Sequence, residues 1–280
     1  MGEFRVPVMA GLSSVVASEM KRYRSSFANI AFRQRGQASH ELVNKLGAEL
    51  VRFSREFGPE VIRRPEIEIK ACVQNIAFGL IELSQALPPE EQITIPHILS
   101  SAIEQHHPST AGHQLRVMDI SMRTSELVDF NNPLERTTLS LAALLHDIGK
   151  IAVPESLLDK NTALTSEENS WIKRGHLLFG YHLLNSISYL QDVARIIGYN
   201  HVFDGYMPEG FSKETMPLSA EILSAADFLD ALTDNQRNYR KDLSLTPGEA
   251  IQEVFKRSYN TKVSSGLLIA LINSGKIPAS

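Results

Sequence analysis

Apolar residues recur every three to four positions along most of this chain, whereas strict apolar–polar alternation is scarce. Leu42, Leu46 and Leu50 show the spacing, and a second apolar run extends from residue 67 to residue 87. Spacing of this kind places apolar side chains on one face of an α-helix. The sequence therefore predicts an all-α protein whose helices bury their apolar faces against one another.

Two sequences of the form Thr-x-x-Glu mark predicted helix starts. In such a pair the threonine side chain accepts a hydrogen bond from the backbone N–H of the glutamate, and the glutamate side chain accepts one from the backbone N–H of the threonine. Thr165 with Glu168 predicts a helix that continues through residues 171–184, and Thr246 with Glu249 predicts a further helix. Both signals agree with the all-α prediction.

The histidines are unevenly distributed along the chain. Of the nine, one precedes residue 90, and the other eight lie between residues 97 and 201. Pro88-Pro89 interrupts the helical pattern between these two parts. We predict a helical N-terminal module of unknown role over residues 1–90, suited to packing, dimerisation or a signalling protein partner, and a chemical domain over residues 91–280.

Composition narrows the functional classes. Hydrophobic residues make up 43% of the 280 positions, and the net charge is −4. This balance disfavours a nucleic-acid polymer as partner. No apolar run reaches the ~18 residues of a membrane span, so we expect a cytoplasmic protein. Cys72 is the only cysteine, which excludes an intrachain disulfide and a cysteine-based zinc site. Any metal must be held by nitrogen and oxygen ligands.

The most informative stretch is residues 146–150, His-Asp-Ile-Gly-Lys, which follows an apolar helical run over residues 139–145. Imidazole and carboxylate are both good ligands for divalent Fe, Mn, Ni, Co or Zn. The two oxygens of Asp147 can bridge two cations, and Lys150 can contact a phosphate held beside them. A His-Asp pair is common by chance, however. The alternative is a helix end where Asp147 pairs with Lys150 in solvent.

Further residues of ligand type stand in or near helical runs. His113 precedes an apolar helical run, His176 lies on the helix predicted after Thr165, and His201 precedes an Asp-Gly pair. Asp227 lies within an apolar helical stretch, where a carboxylate needs a partner, and Asp230 shares its face. These separated groups favour a shared site over a chance dipeptide.

Residues from about 97 to 270 resemble the HD-GYP domain, a branch of the HD phosphohydrolase superfamily. The resemblance rests on motifs that follow one another in the family's order, which makes it far more specific than the His-Asp pair alone. The motifs are Thr110-Ala111-Gly112-His113 with Arg116-Val117, Ala142 through Ile151 with Val153-Pro154, Lys160 with Leu164-Thr165 and Glu168, His176 with Gly180, Asp227 with Asp230-Ala231-Leu232-Thr233, and Arg237-Asn238-Tyr239-Arg240.

The resemblance implies a helical bundle around two divalent transition-metal ions, with Fe or Mn favoured by nitrogen-rich and carboxylate ligands. It implies hydrolysis of cyclic di-GMP by hydroxide formed at the two metals, with Asp147 and Lys150 acting directly in catalysis. The residues carried over from the family are His113, His146, Asp147 and Asp227 for one metal, His176 and His201 for a second with Asp147 bridging, and Lys150, Asp230 and Arg237 for the phosphates or guanines of the nucleotide.

The chain departs from the family pattern over residues 199–208. The family carries His-His-Glu and, two residues on, Asp-Gly-x-Gly-Tyr-Pro. This chain has Tyr-Asn-His and then Asp-Gly-Tyr-Met-Pro, which is one residue shorter. The alignment leaves open whether His201 takes the place of the glutamate or of a histidine. Ser109 stands where some members carry a glutamate ligand for a third metal. We therefore expect two metals and slow or no turnover of cyclic di-GMP.

Three functional hypotheses stay open: a cyclic di-GMP phosphodiesterase with a modified site, a non-catalytic receptor for nucleotide or metal that acts through a protein partner, and an HD phosphohydrolase for another nucleotide. The altered loop favours the receptor. The retained segment from Asp227 onwards favours the phosphodiesterase over the generic hydrolase. Two nearby residues are interpreted as bystanders, namely His107 as a loop or helix end at the site entrance and Lys173 as a solvated helix face.

Overall fold

The computed structural model describes residues 39–86, 95–234, 245–257, 259 and 261–274. Within these residues every regular element is helical, which confirms the all-α prediction. None of the described helices combines the length and the apolar character that crossing a membrane requires. The predicted break at Pro88-Pro89, residues 1–38 of the N-terminal module and Arg237 lie outside the described residues.

Twelve α-helices lie within the described residues. In chain order they are α1 Ser39–Val61, α2 Glu66–Ala86, α3 Ile95–His106, α4 Pro108–Leu127, α5 Pro133–Leu145, α6 Glu155–Leu158, α7 Ser166–Ser170, α8 His176–Asn185, α9 Gln191–Ile197, α10 Leu218–Thr233, α11 Pro247–Lys256 and α12 Thr261–Asn273. Short 3-10 turns at Ile148–Ala152 and Val202–Asp204 bear on the site, and one π-helical turn, Trp171–Gly175, joins α7 to α8.

The two predicted Thr-x-x-Glu starts form complete capping boxes. Thr165 Oγ1 accepts from the N–H of Glu168 at 3.1 Å, and the Glu168 carboxylate accepts from the N–H of Thr165 at 2.8 Å. Thr246 and Glu249 form the same pair of bonds at 3.3 and 2.9 Å. The helix predicted through residues 171–184 is present but not uniform. Its π-helical turn changes the direction of the side chains that follow.

Helices from both ends of the described chain share one hydrophobic core. α1 packs against α3 and the 3-10 turn Ile148–Ala152, and α2 packs against α8. α4 packs against α5, α10 and α12. Leu46 of α1 and Ile76 of α2 are as fully buried as Leu139 and Leu223 in the later helices. The first two helices therefore cover the same core that supports the site.

Close contacts tie the first two helices to the rest. A Cβ atom added at Gly58 would lie 2.5 Å from the Cα of Ala152, and one added at Gly175 would lie 2.7 Å from the Cβ of Ile62. Glu66, the first residue of α2, accepts a hydrogen bond from Nε2 of His182 at 2.9 Å and another from the backbone N–H of Glu209 at 3.2 Å. Because His182 lies on α8, Glu66 connects α2 to that helix and to the loop after Gly205.

Candidate metal centre

His113 stands between two carboxylates of α10. Its Nδ1–H donates to Oδ2 of Asp230 at 2.7 Å, and its Nε2 lies 3.0 Å from Oδ1 of Asp227. Asp227 and Asp230 are three residues apart on one helix, so the same face carries both. Arg116, also on α4, donates to both oxygens of Asp230 at 2.8 and 2.9 Å. These contacts satisfy the two acids of the apolar stretch.

His146 and Asp147 follow the last turn of α5. The Nδ1–H of His146 donates to the carbonyl of Ala143 at 2.8 Å, so the neutral ring keeps its lone pair on Nε2. That nitrogen is 3.5 Å from Oδ2 of Asp147 and 3.7 Å from Oδ1 of Asp227, and it is buried without a hydrogen-bond partner. A buried, unpartnered nitrogen that faces two carboxylates is suited to a metal ion.

His176 and His201 form a second pair on the other side of Asp147. The Nδ1–H of His176 donates to the carbonyl of Ile172 in the π-helical turn, and that of His201 donates to Asp204 at 3.1 Å. Their Nε2 atoms are 3.2 Å apart. Two ligands ~2.1 Å from one metal lie roughly 3.0 to 3.4 Å apart at octahedral or tetrahedral angles. The pair therefore fits a single cation.

Asp147 lies between the two groups of imidazoles. Its Oδ2 faces His113 at 3.7 Å and His146 at 3.5 Å, while its Oδ1 faces His176 at 3.5 Å. Every imidazole of the cluster has its Nδ1 committed to a backbone carbonyl or a carboxylate, which is the usual environment of a metal-bound histidine. Four Nε2 lone pairs thus converge on two carboxylates, and such a set fits divalent cations. The structure brings together all six predicted ligands: His113, His146, Asp147, His176, His201 and Asp227.

The electrostatics of the cluster also favour cations. Burial alone would raise the pKa of Asp147, but Lys150 and the neighbouring imidazoles outweigh burial and hold it well below its usual range. Burial opposes the charged form of His146, yet the carboxylates of Asp147 and Asp227 produce a net rise in its pKa. Burial and then the adjacent His201 lower the pKa of His176 to about 3. At neutral pH the carboxylates are ionised and His176 is a neutral ligand.

Asn200 and Tyr199 belong to residues 199–208, the segment that departs from the family pattern, and their side chains have different partners. The side-chain amide of Asn200 donates to Oδ2 of Asp227 at 2.9 Å. The other oxygen of Asp227, Oδ1, therefore faces His113 and His146. Tyr199 is buried, and its hydroxyl lies 2.9 Å from Oγ1 of Thr215. Of these consecutive residues, His201 faces the cluster, Asn200 holds a carboxylate and Tyr199 belongs to the core.

The three predicted nucleotide contacts have different surroundings. Lys150 lines the cavity beside the cluster, with its Nζ 2.5 Å from Oδ2 of Asp147. Asp230 is buried behind His113 and does not line that cavity. Its contact with nucleotide stays a prediction, as does that of Arg237, which lies outside the described residues.

A cavity of about 180 Å³ opens onto the cluster, and its wall carries cations that sequence analysis missed. Lys173 and Arg257 each bond to Oδ1 of Asp204 at 3.1 Å. The guanidinium of Arg257 lies 3.7 Å above the ring of Phe228. The interpretation of Lys173 as a purely solvated side chain is therefore wrong. No sequence signal revealed these pairs, because Asp204 is distant from both cations along the chain.

Comparison with known proteins places these features in a family. The HD domain model matches residues 97–263. The cyclic di-GMP phosphodiesterase response regulator RpfG of Xanthomonas campestris is 36% identical over 61% of this chain and 46% of its own length. The 3'3'-cGAMP-specific phosphodiesterase 3 of Vibrio cholerae is 33% identical over 78% of this chain and 50% of its own length.

A solved structure, that of an HDG"Y"P protein from Bdellovibrio bacteriovorus, aligns with 93% of this chain and 81% of its own at a TM-score of 0.47 and 17% identity. The present chain spans about half the length of the curated relatives it matches. The family match itself covers more than half of the chain and includes every predicted ligand. The chain therefore belongs to the HD domain family, and its resemblance to the HD-GYP branch is confirmed.

Proposed function

We propose that this chain hydrolyses a phosphodiester bond of a cyclic dinucleotide. The observation that carries the proposal is the cluster beneath the cavity, where four imidazole lone pairs and two carboxylates converge beside Lys150. Cyclic di-GMP is the favoured substrate because RpfG is named for it, and the Vibrio relative makes 3'3'-cGAMP the alternative. Two divalent metals held there would supply Lewis acidity and an ionised water.

The ligand assignment follows the two groups of the cluster, with Fe or Mn suited to a nitrogen- and oxygen-rich set. The partners of Nδ1 fix the orientation of each ring, so Asp230 and Asp204 are proposed as positioning residues for His113 and His201. The proposed ligands are His113, His146, Asp147 and Asp227 for one metal, and His176 and His201 for the other, with Asp147 shared.

Lys150 is proposed to bind a non-bridging oxygen of the scissile phosphate. Its ammonium group stabilises the negative charge that develops there during attack. The cavity, at about 180 Å³, is smaller than the ~300–1,000 Å³ of pockets that enclose drug-sized ligands. We therefore propose that the cavity encloses the scissile phosphate and not the whole dinucleotide. The remainder of the dinucleotide lies towards Arg257 and Phe228 at its wall, and Arg237 is kept as a further proposed contact.

We propose that turnover is slow. Asn200 brings an amide where the family pattern has an imidazole, and an amide neither offers a nitrogen lone pair nor carries a proton. The loop from Gly205 to Pro208 is one residue shorter than the family pattern, and a displacement of ~1 Å within a site can cost roughly 100-fold in rate. Asn200 also supports the receptor as the second candidate function. A site that keeps its metals and loses turnover still binds nucleotide.

Metal content and turnover of the double variant His146→Ala/Asp147→Ala test the proposal. Wild-type protein loaded with Fe(II) or Mn(II) should linearise cyclic di-GMP at less than ~1 s⁻¹, the low end for enzymes. The double variant should keep its helical circular dichroism spectrum and lose both bound metal and turnover. His97→Ala, which changes an exposed histidine of α3, is the matched control.

The outcomes separate the hypotheses. Full metal occupancy in the double variant would contradict the ligand assignment. Nucleotide binding without turnover selects the receptor, and cleavage of another nucleotide diester alone selects the generic hydrolase. Wild-type turnover of cyclic di-GMP well within roughly 1 to 1,000 s⁻¹ shows that the altered segment does not slow the site.

A further inference from the structure

A second polar cluster lies in the wall of the cavity, apart from the six proposed ligands. Nδ1 of His107 is 2.8 Å from Oγ1 of Thr110 and 3.0 Å from Oγ of Ser109. Its Nε2 is 3.0 Å from Oδ1 of Asp159. All four residues line the cavity that opens onto the metal ligands. An imidazole between a carboxylate and a hydroxyl is an arrangement in which proton exchange with the hydroxyl is favoured.

The geometry of α4 connects this cluster to the proposed metal centre. His107 directly precedes α4, and its backbone carbonyl accepts the N–H of Thr110 at 2.9 Å, while Thr110 and His113 lie one turn apart on the helix. Thr110 is therefore about 4.5 Å from His113 along the helix axis. Thr110 is also buried and lines the cavity. Its hydroxyl therefore contacts the imidazole of His107 in the wall of the same cavity that the proposed ligand His113 lines.

The reaction needs a proton donor that the proposed ligands do not supply. Cleavage of a phosphodiester releases an alkoxide, and a positioned acid that protonates it contributes to the rate. The ligand histidines have their Nδ1–H groups committed to carbonyls or carboxylates. Among the described histidines that line the cavity, His107 is the one outside the ligand set.

We propose that His107 is the general acid of this site and that the Thr110 hydroxyl delivers its proton to the leaving oxygen. The role rests on the proposed phosphodiesterase function. As the oxygen of water bonds to phosphorus, the bond from phosphorus to the sugar oxygen breaks and its electron pair stays on that oxygen. The sugar oxygen takes a proton from Thr110, and Thr110 takes one from Nδ1 of His107.

The proton balance closes through solvent. The attacking water loses one proton to solvent, and solvent returns one to His107, so the sum is one water added across the broken bond. Asp159 accepts the hydrogen bond from Nε2–H in both states of the ring, which leaves Nδ1 as the nitrogen that faces Thr110. His107 was interpreted from the sequence as a bystander, because its hydroxyl and carboxylate partners are visible only in the fold.

The test uses two substrates that differ in leaving group. A sugar alkoxide is a poor leaving group that needs a proton, whereas p-nitrophenolate departs without one. His107→Gln should lower kcat for cyclic di-GMP by roughly 100- to 10,000-fold and leave kcat for bis-p-nitrophenyl phosphate unchanged. Metal content and the Kd for a phosphorothioate analogue of cyclic di-GMP should keep their wild-type values. His97→Gln is the matched control.

Two further variants extend the test. Thr110→Val should show the same selective loss, because it removes the hydroxyl and keeps the shape of the side chain. Asp159→Asn changes a side chain that is 58% exposed, so this variant is expected to fold. It provides the same test if His107→Gln does not fold. Its loss should again be selective for cyclic di-GMP.

Four results would overturn the role. An equal loss on both esters, or no loss on cyclic di-GMP, rejects His107 as general acid while the phosphodiesterase proposal stands. A weaker Kd for the phosphorothioate analogue that accounts for the whole loss assigns His107 to binding. Wild-type protein that is fully metal-loaded and cleaves neither ester rejects the proposed function and, with it, the general acid.

Discussion

At the scale of single residues, the groups that hold the ligands matter as much as the ligands. Asn200 is the clearest case, since its amide donates to one oxygen of Asp227 and leaves the other towards the imidazoles. Its own Oδ1 is buried without a hydrogen-bond partner. A residue of the altered segment thus takes the role of fixing a carboxylate.

Replacement of this amide should weaken metal binding without unfolding the protein. In Asn200→Ala, Oδ2 of Asp227 loses its donor and the carboxylate gains rotational freedom, so metal affinity should fall by roughly 10- to 100-fold. Titration of the metal-free protein with Mn(II) in a calorimeter measures the change. Asn131→Ala, at an exposed asparagine, is the control. Equal affinities for all three proteins would show that Asn200 does not position Asp227.

The sequence indicates the proposed ligands more readily than the residues that support them. His113, His146 and Asp227 belong to motifs of fixed order, so their residue types and spacing are visible in one dimension. The partners of those ligands are not visible in that way. The contact from Asn200 to Asp227 and that from His201 to Asp204 depend on how a turn packs against α10 and on the local backbone, which no spacing rule contains.

At the scale of elements, the site depends on a backbone contact between the turn Ile148–Ala152 and α8. A Cβ atom at Gly149 would lie 1.8 Å from the carbonyl oxygen of His176 and 2.9 Å from the backbone nitrogen of Gly180. The turn that carries Lys150 therefore touches the first turn of the helix that carries His176. Only glycine at position 149 permits this approach.

Gly149→Ala should push these two elements apart. Overpacking of this kind costs ~1–3 kcal/mol, which corresponds to a fall in thermal midpoint of about 2 to 5 °C for a chain of this size. Metal content should fall as well, because His176 moves with α8. Differential scanning calorimetry and metal analysis measure both effects.

The matched control for this prediction is Gly79→Ala, inside α2, where an added Cβ meets nothing within 4 Å. Alanine is favoured over glycine in a helix by ~1 kcal/mol, so the midpoint should rise instead of falling. If the two variants shifted the midpoint in the same direction, the contact at Gly149 would not be the cause.

Prediction of elements from sequence succeeded where the signal is local. The capping boxes at Thr165 and Thr246 involve residues three apart, and both formed as predicted. The π-helical turn Trp171–Gly175 was missed, because one wider turn barely alters an apolar spacing of 3.6 residues. That turn nevertheless supplies the carbonyl of Ile172 that holds His176.

At the scale of the whole molecule, the family match begins at residue 97, but the hydrophobic core extends to α1 and α2. The predicted boundary near residue 90 therefore has a direct test. Without residues 1–90, Ala152 and Gly175 lose the surfaces of Gly58 and Ile62 that cover them. We expect the shortened chain to bind the dye ANS and to lose a sharp thermal transition, as proteins with exposed apolar surface do. A wild-type thermal midpoint in that chain would support an independent domain over residues 91–280.

The backbone amide of Glu209 donates a hydrogen bond to Glu66 of α2. Hydrogen exchange at Glu209 therefore reports on a helix that is distant from it along the chain. A backbone amide exchanges its hydrogen with deuterated solvent only when its hydrogen bond opens, so the exchange rate at Glu209 reports whether α2 is in place. Glu66→Ala removes a bond worth ~1 kcal/mol and should speed exchange at Glu209 roughly fivefold, as followed by peptide-resolved mass spectrometry. Unchanged exchange would mean that another contact protects the amide. Any molecule that shifts α2 would speed hydrogen exchange at Glu209 in the same way, even where it never touches that loop.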